Sequence, residues 1–329
     1  MSARGVLVRA PNWLGDCIMA MPALAGLKKA DPDARLTLAI HEPFAALGGL
    51  APFVDETVPL PGQGDPRRGE VLRGLRRRDF DTLIVLPNSF RSAWDMWPGS
   101  AKRRLGYGGS LRSFMLTHAP ARPLRHSLHQ TEYFARLIGT LYPNAAPCAF
   151  EPSIPEEARN AAAKLAPGTG PLIGVGFGAS YGSAKMWPAE RFGALIERLS
   201  ALGEVVLLGA QGDRAVEQAT LAATKARPLS LVGRTPLDVL AAVFERLAAY
   251  VTNDTGPMHL AAALGTPVVC LFGPTSPDET RPLGAHVSVL YHRPDCAPCW
   301  RRDCPTDHRC MAAITVDETL GAVKDVMRL

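Results

Sequence analysis

Val251 to Thr275 reads VTNDTGPMHLAAALGTPVVCLFGPT. A β-prone run, a polar turn, a short small-residue helix, a second apolar run and a glycine turn follow one another there, the pattern of a βαβ unit. Leu247 to Val251 supplies the entering strand, and Asp254, Thr255 and Gly256 bring side-chain oxygens and a pliant backbone to the helix start. A helix start presents unpaired N–H groups and a partial positive charge, so a phosphate is its natural ligand. Ala261, Ala262, Ala263 and Gly265 let the helix approach the next strand, Pro267 to Phe272, which is too apolar for a surface. The same residues also suit a capped structural helix with Asp254 or Thr255 as N-cap. The remainder of the chain tips the balance towards the anion site.

Outward from that stretch, both halves of the chain alternate strand and helix signals, which argues for two α/β domains. In the first half Val6 to Arg9, Arg35 to Ile40 and Thr82 to Leu86 read as strands, with helices over Ile18 to Lys29 and Glu70 to Arg78. In the second half the strands are Leu172 to Phe177, Val205 to Leu208, Ala249 to Thr252 and Val268 to Phe272. Helices lie near Ala189 to Ala201, Asp213 to Thr224 and Leu237 to Leu247. Pro152 to Pro171, with a short Ala-rich helix inside it, is the linker candidate.

A chain of 329 residues is long enough for two ordinary domains, each with its own core. Its apolar runs are too short to cross a bilayer, and no basic-then-apolar leader precedes the first strand, so secretion is not expected. Seven cysteines, an odd number, fit a reducing cytoplasm better than a disulfide framework. The net charge of +5 is modest, but many arginines gather in the first half, among them Arg67, Arg68, Arg76, Arg104 and Arg122. That half is suited to an acidic partner or a membrane surface; the plainer reading is a solvated basic face.

Chemistry in such sheets belongs at the carboxyl ends of strands. Arg9-Ala10-Pro11-Asn12-Trp13-Leu14-Gly15-Asp16, between the first strand and its helix, offers a carboxylate that either accepts a proton from a nucleophile or caps the helix. Gly176-Phe177-Gly178-Ala179-Ser180, followed by Lys185-Met186-Trp187-Pro188, is a glycine loop with a cation ahead of a helix, suited to phosphate. Gly209-Ala210-Gln211-Gly212-Asp213 ends in an acid that can bond a ribose or act as a cap. The first strand does not lead into Gly-x-Gly-x-x-Gly, which argues against a nicotinamide dehydrogenase.

In order and spacing, Leu14-Gly15-Asp16, Lys185-x-Trp187-Pro188, Asp254-Thr255-Gly256-x-x-His259 and Phe272-Gly273-Pro274-Thr275 together resemble the ADP-heptose:lipopolysaccharide heptosyltransferases over most of the chain. Pro11-Asn12-Trp13, the run Leu86 to Ala93 and the cysteine-bearing tail look more like the heptosyltransferase II branch than the first. The resemblance implies an α/β GT-B glycosyltransferase fold, two Rossmann-like domains facing across a cleft. It makes 1–160 the acceptor-binding domain and 161–329 the donor-binding domain, with a C-terminal helix that can pack back on the first. It implies an inverting transfer from ADP-heptose to an acidic, lipid A-linked heptosyl-Kdo inner core, by a cytoplasmic enzyme peripheral to the inner face of the inner membrane, with no cofactor and no nucleic acid.

Carried onto this sequence, the resemblance makes Asp16 the catalytic base. Ser180, Lys185, Asp213, Asp254, Thr255, Gly256 and His259 become donor-binding residues, with Glu217 an alternative to Asp213 for the ribose. Asn12, Asn88 and Arg91 become acceptor-binding residues. Heptosyltransferase I activity, another GT-B nucleotide-sugar specificity and a non-catalytic nucleotide-binding protein are the competing readings. No metal is expected: Asp31-Pro32-Asp33 and Asp79-Phe80-Asp81 read as turn and cap residues. Cys296, Cys299, Cys304 and Cys310, with His308 in reserve, are a zinc alternative weakened by the irregular spacing of the second pair; ordered reduced thiols are the simpler reading.

Overall fold

The computed structural model describes residues 4–328 apart from Pro98, Ser100, Ser110, Thr169, Ala179 and Ser180. The chain divides into two compact units, Met1–Ser153 and Ile154–Leu329.

The first unit runs β1 (Arg4–Arg9), α1 (Leu14–Ala30), β2 (Ala34–His41), α2 (Ala46–Gly49), β3 (Glu56–Leu60), α3 (Arg67–Arg76), β4 (Thr82–Val85), α4 (Phe90–Met96), β5 (Arg103–Leu105) and α5 (Gln130–Gly139). Its sheet is parallel throughout, in the order β3-β2-β1-β4-β5. β1 and β4 are central and almost wholly buried, hence their apolar sequences VLV and LIV. The edge strands β3, with Pro59 in it, and β5, with two arginines, carry no such apolar run, and the sequence reading passes them over.

The second unit runs α6 (Glu156–Leu165), β6 (Leu172–Gly176), α7 (Ala189–Leu199), β7 (Glu204–Leu208), α8 (Arg214–Ala222), β8 (Leu229–Ser230), α9 (Leu237–Glu245), β9 (Leu247–Asn253), α10 (Gly256–Ala263), β10 (Val268–Phe272), α11 (Pro277–Thr280), β11 (Val287–Tyr291), α12 (Arg309–Ala312) and α13 (Val316–Met327). The Ala-rich helix expected inside the linker is α6, whose Ala158 and Ala162 are buried, and the units part ahead of it. This sheet is also all parallel, in the order β11-β10-β9-β6-β7-β8.

Helix α7 shows why its residues form this layer: Phe192, Leu195, Ile196 and Leu199 recur at helical spacing and bury one stripe in the core beneath β6 and β7. Helix α13 starts at a capping box, Thr315 and Glu318, and packs on α7, β9 and β10 of its own unit. Glycine at 176 is a packing requirement, because a Cβ there would stand 2.1 Å from the Tyr250 hydroxyl. Among the described residues no helix is long and apolar enough to cross a membrane.

Candidate active site

Each sheet reverses its strand order once, between β1 and β4 in the first unit and between β6 and β9 in the second. The carboxyl ends at such a switch point form a natural crevice for ligands. The sequence motifs lie there in both units.

In the second unit β9 ends on Asn253, which is fully buried. Its Oδ1 accepts the Trp187 backbone N–H at 3.1 Å, while its Nδ2 donates to the Phe177 carbonyl at 2.9 Å. The Trp187 indole is buried and donates to the Ile314 carbonyl at 3.1 Å. One asparagine and one tryptophan thus clamp both ends of the loop that follows β6, and that loop delivers Lys185.

Lys185 closes a short 3-10 turn, Ser183–Lys185, and its Nζ lies 2.5 Å from Asp254 Oδ2. Thr275 Oγ1 donates to the same oxygen at 2.5 Å, and the Tyr181 ring stands 4.7 Å from the ammonium. Asp254 Oδ1 has no hydrogen-bond partner among the described residues. Lys185 is 8% and Asp254 5% exposed. Burying two opposite charges contributes little net stability, whereas removing one partner leaves the other unpaired at high cost. Such a pair at a switch point is better explained by a ligand than by the fold.

Helix α10 begins beside it. Thr255 occupies the N-cap position with an extended backbone but makes no capping bond, and Asp254 is committed to Lys185 and Thr275. The capped-helix alternative therefore fails on geometry; Pro257 carries no N–H and the Met258 N–H bonds the Thr255 carbonyl at 3.2 Å, so the first-turn donor offered to an anion is the Gly256 N–H. His259 lies buried within the same helix.

Asp213 ends the turn after β7, and its Oδ2 accepts the Ala210 N–H at 2.7 Å. A Cβ on Gly178 would come within 2.5 Å of that oxygen, so the carboxylate lies directly against the loop after β6. Burial pushes the Asp213 carboxyl above the usual range, opposed by the Ala210 N–H. Glu217 is instead buried within α8, bonded to Ser230 and Arg214.

The cysteine-bearing segment braces this arrangement. Tyr181 donates to the Trp300 carbonyl at 2.6 Å, Ser183 to Asp303 at 2.8 Å and the Ala184 N–H to the Arg302 carbonyl at 2.8 Å. On its other side the N–H groups of Cys299 and Trp300 reach the Pro274 carbonyl at 2.9 and 2.8 Å. Gly182 has φ +154°, and a Cβ there would meet the Arg302 carbonyl at 2.3 Å. Cys296, Cys299, Cys304 and Cys310 line one cavity of about 380 Å³, but no three metal-ligating side chains among the described residues stand close enough to share an ion.

In the first unit Arg9 ends β1 and is 4% exposed, donating to Asn12 Oδ1 at 2.6 Å and to the Ala10 carbonyl. Burial, reinforced by nearby Arg68, pushes its guanidinium down to about 10. Helix α1 begins at Leu14, four residues earlier than the expected Ile18, because the Cys17 N–H already reaches the Trp13 carbonyl at 2.9 Å. Asp16 is therefore not in a loop; it occupies the first helical turn, where the dipole favours its negative charge.

After β4, Asn88 Nδ2 donates to the Tyr133 hydroxyl at 2.7 Å, and Ser89 caps α4 by accepting the Ser92 N–H at 3.1 Å. Arg91 belongs to α4 rather than to a loop. Its Nε pairs with Asp95 Oδ1 at 3.0 Å, while its side chain remains 61% exposed. Asp95 is buried and also holds Arg68 at 2.6 Å. Fully buried Arg112 donates to the Pro87 carbonyl at 2.5 Å, which fixes the loop from the other side.

The family model of glycosyltransferase family 9 (heptosyltransferase) matches residues 68–309. The chain belongs to this family. As a family 9 member it is 31% identical over 316 residues to lipopolysaccharide heptosyltransferase 2 of Salmonella typhimurium, covering 88% of this chain and 89% of that one. The solved structure of Escherichia coli ADP-heptose lps heptosyltransferase II matches it with a TM-score of 0.83 at 27% identity, over 98% of each chain. A family 9 glycosyl transferase from Veillonella parvula superposes with a TM-score of 0.90 at 24% identity, over 100% of this chain and 98% of that one, which speaks for the fold. The two parallel-sheet α/β units are thus those of a GT-B glycosyltransferase.

Within this family 9 chain the structure gathers Lys185, Asp254, Thr255 and Gly256 at one switch point, with Asp213 beside the same loop. It places Asn12, Asp16, Asn88 and Arg91 at strand ends of the other unit. Ser180 lies outside the described residues. Sequence alone assigns no role to Thr275, Tyr181, Asn253 or Trp187, although Thr275 and Trp187 are letters of the motifs. The Asp-x-Asp pairs are structural: Asp31 pairs with Arg4, and Asp81 accepts the Gly5 N–H at 3.0 Å.

Proposed function

We propose that this chain transfers L-glycero-D-manno-heptose from ADP-heptose to the heptosyl-Kdo2 inner core of an acidic, lipid A-linked acceptor, with inversion. The observation that carries the reading is the buried Lys185–Asp254–Thr275 set beside the N-terminus of α10, whose N-cap residue makes no side-chain capping bond. Lys185 and the N–H groups from Thr255 and Gly256 offset the charge that builds on departing ADP. The Oδ1 of Asp254 accepts heptose hydroxyls, His259 backs the helix at the sugar, and Asp213 takes the ribose. Asp16, in the other unit, accepts the proton of the acceptor hydroxyl as it attacks the anomeric carbon, and a single base opposite the leaving group gives inversion.

In this reading the first unit binds the acceptor through Asn12, Asn88 and Arg91. Arg91 pairs with acceptor carboxylate or phosphate through its exposed guanidinium edge. Because the acceptor is lipid-linked and its donor cytoplasmic, the enzyme works peripherally at the inner face of the inner membrane, and it requires neither cofactor nor metal. Mass spectrometry of products from a panel of nucleotide sugars with heptosyl-Kdo2-lipid A tests this. A single heptose increment with ADP-heptose, and none with UDP- or GDP-hexoses, is the expected outcome; transfer of a hexose instead assigns another donor specificity.

A further inference from the structure

The exposed large apolar side chains are unevenly distributed. Phe90, Trp94, Leu111, Phe114 and Leu124 all fall within one stretch of the first unit, at 41%, 45%, 85%, 63% and 84% exposure. Four aromatic rings there touch in a closed set. Phe90 stacks on Trp94 with centroids 5.9 Å apart, Trp94 meets Trp97 at 5.6 Å, Trp97 meets Phe114 edge-on at 5.9 Å, and Phe114 returns to Phe90 at 6.5 Å. Water-exposed aromatic clusters of this kind mark an interaction surface. From Phe90 to Arg125 the sequence carries seven lysines and arginines against one carboxylate, Asp95, which is buried and already paired. Lys102, Arg122 and Arg125 are exposed, and Arg122 reaches back to the Asn88 carbonyl at 2.9 Å, beside the aromatic helix.

We infer that this aromatic and basic face docks the enzyme on an anionic lipid bilayer. Tryptophan and phenylalanine settle at the level of the headgroups, and basic residues add attraction to anionic lipid. Arg112 is buried, but the exposed charged side chains of the stretch, Arg91, Lys102, Arg122 and Arg125, are all cations, which suits an anionic lipid surface better than a protein partner of mixed charge. The inference deepens the reading above, on which it rests for the presence of a lipid-linked acceptor. Docking orients the first unit so that a headgroup-level sugar reaches it without leaving the membrane.

The test uses the full chain with vesicles of phosphatidylethanolamine and phosphatidylglycerol, and with phosphatidylcholine vesicles for comparison, all free of acceptor. The wild type is expected to bind the anionic vesicles with a blue shift in tryptophan fluorescence, weakening in high salt. Trp94→Ser with Phe114→Ser should lower that binding by about tenfold or more, and Lys102→Glu with Arg125→Glu should abolish the preference for anionic lipid. Thermal unfolding and ADP affinity should stay at wild-type values, which separates lost docking from lost folding. Equal binding by wild type and both double variants, or no vesicle binding by the wild type, overturns the inference. Transfer to a deacylated, soluble acceptor reports on the transfer reading independently: if it persists without vesicle binding, only the docking assignment falls.

Discussion

The two switch points of this molecule are built in opposite styles. In the second unit the functional groups are buried and held by one another: Lys185 and Thr275 converge on one oxygen of Asp254, and Asn253 and Trp187 lock the loop behind them. In the first unit the backbone is anchored by buried arginines, Arg9 and Arg112, while the candidate side chains are half-buried or exposed, Asp16 and Arg91 on first helical turns and Asn12 and Asn88 in the loops ahead of them. A nucleotide diphosphate is small and always the same, so a closed, pre-arranged site suits it. A lipid-linked oligosaccharide is large and arrives with its membrane, which suits an open face of cations and aromatics. On the proposed function the chemistry would divide accordingly, with leaving-group stabilisation from the second unit and the base from the first.

The sharpest way to break that division is to remove the base alone. Asp16→Asn keeps the shape and the helix start but cannot take a proton, so turnover should fall on the order of a hundredfold or more. Near-normal turnover in the purified variant would show that Asp16 merely complements the helix dipole.

Lys185→Ala should follow, slowing turnover by roughly tenfold or more through loss of charge at the leaving diphosphate. Unlike Asp16→Asn, it should also lower stability, by about 3–5 kcal/mol, because Asp254 stays buried without its cation. Chemical denaturation beside steady-state kinetics separates the two effects; unaltered stability would mean that the pair opens to solvent.

On the acceptor side the expected effects are smaller. Arg91→Ala should raise KM for acceptor roughly several-fold and leave KM for ADP-heptose unchanged, since its guanidinium is mostly exposed and the buried Asp95 keeps Arg68 as a partner when Arg91 is removed. A matching rise in the donor KM would move Arg91 out of the acceptor role. Smallest of all is the expected response to chelation: activity should survive EDTA undiminished if, as proposed, a lysine and a helix terminus carry the role a divalent ion plays elsewhere. Loss on chelation, restored by a divalent ion, would reassign the leaving-group charge.

The same contrast explains what could be read in the sequence. Central strands such as β4 and β10 are apolar because both faces are covered, so TLIV and VVCLF announce themselves. Motif letters with charged or glycine residues, Asp16, Lys185 and Asp254, were legible as site candidates. The groups that position them were not: Asn253 and Thr275 are ordinary polar residues whose importance comes from contacts 66 and 21 residues away in sequence. Edge strands β3 and β11 are only half-buried and carry weaker patterns. The aromatic face around Trp94 resembles core in sequence, because alternating aromatics and small residues on a helix say nothing of which side meets water.

Calorimetric titration of ADP into the purified Asp16→Asn and Lys185→Ala proteins tests the division of labour most directly. Asp16→Asn should bind ADP as tightly as the wild type, and Lys185→Ala should bind it at least about tenfold more weakly. Equal weakening in both variants, or undisturbed binding in Lys185→Ala, contradicts that division.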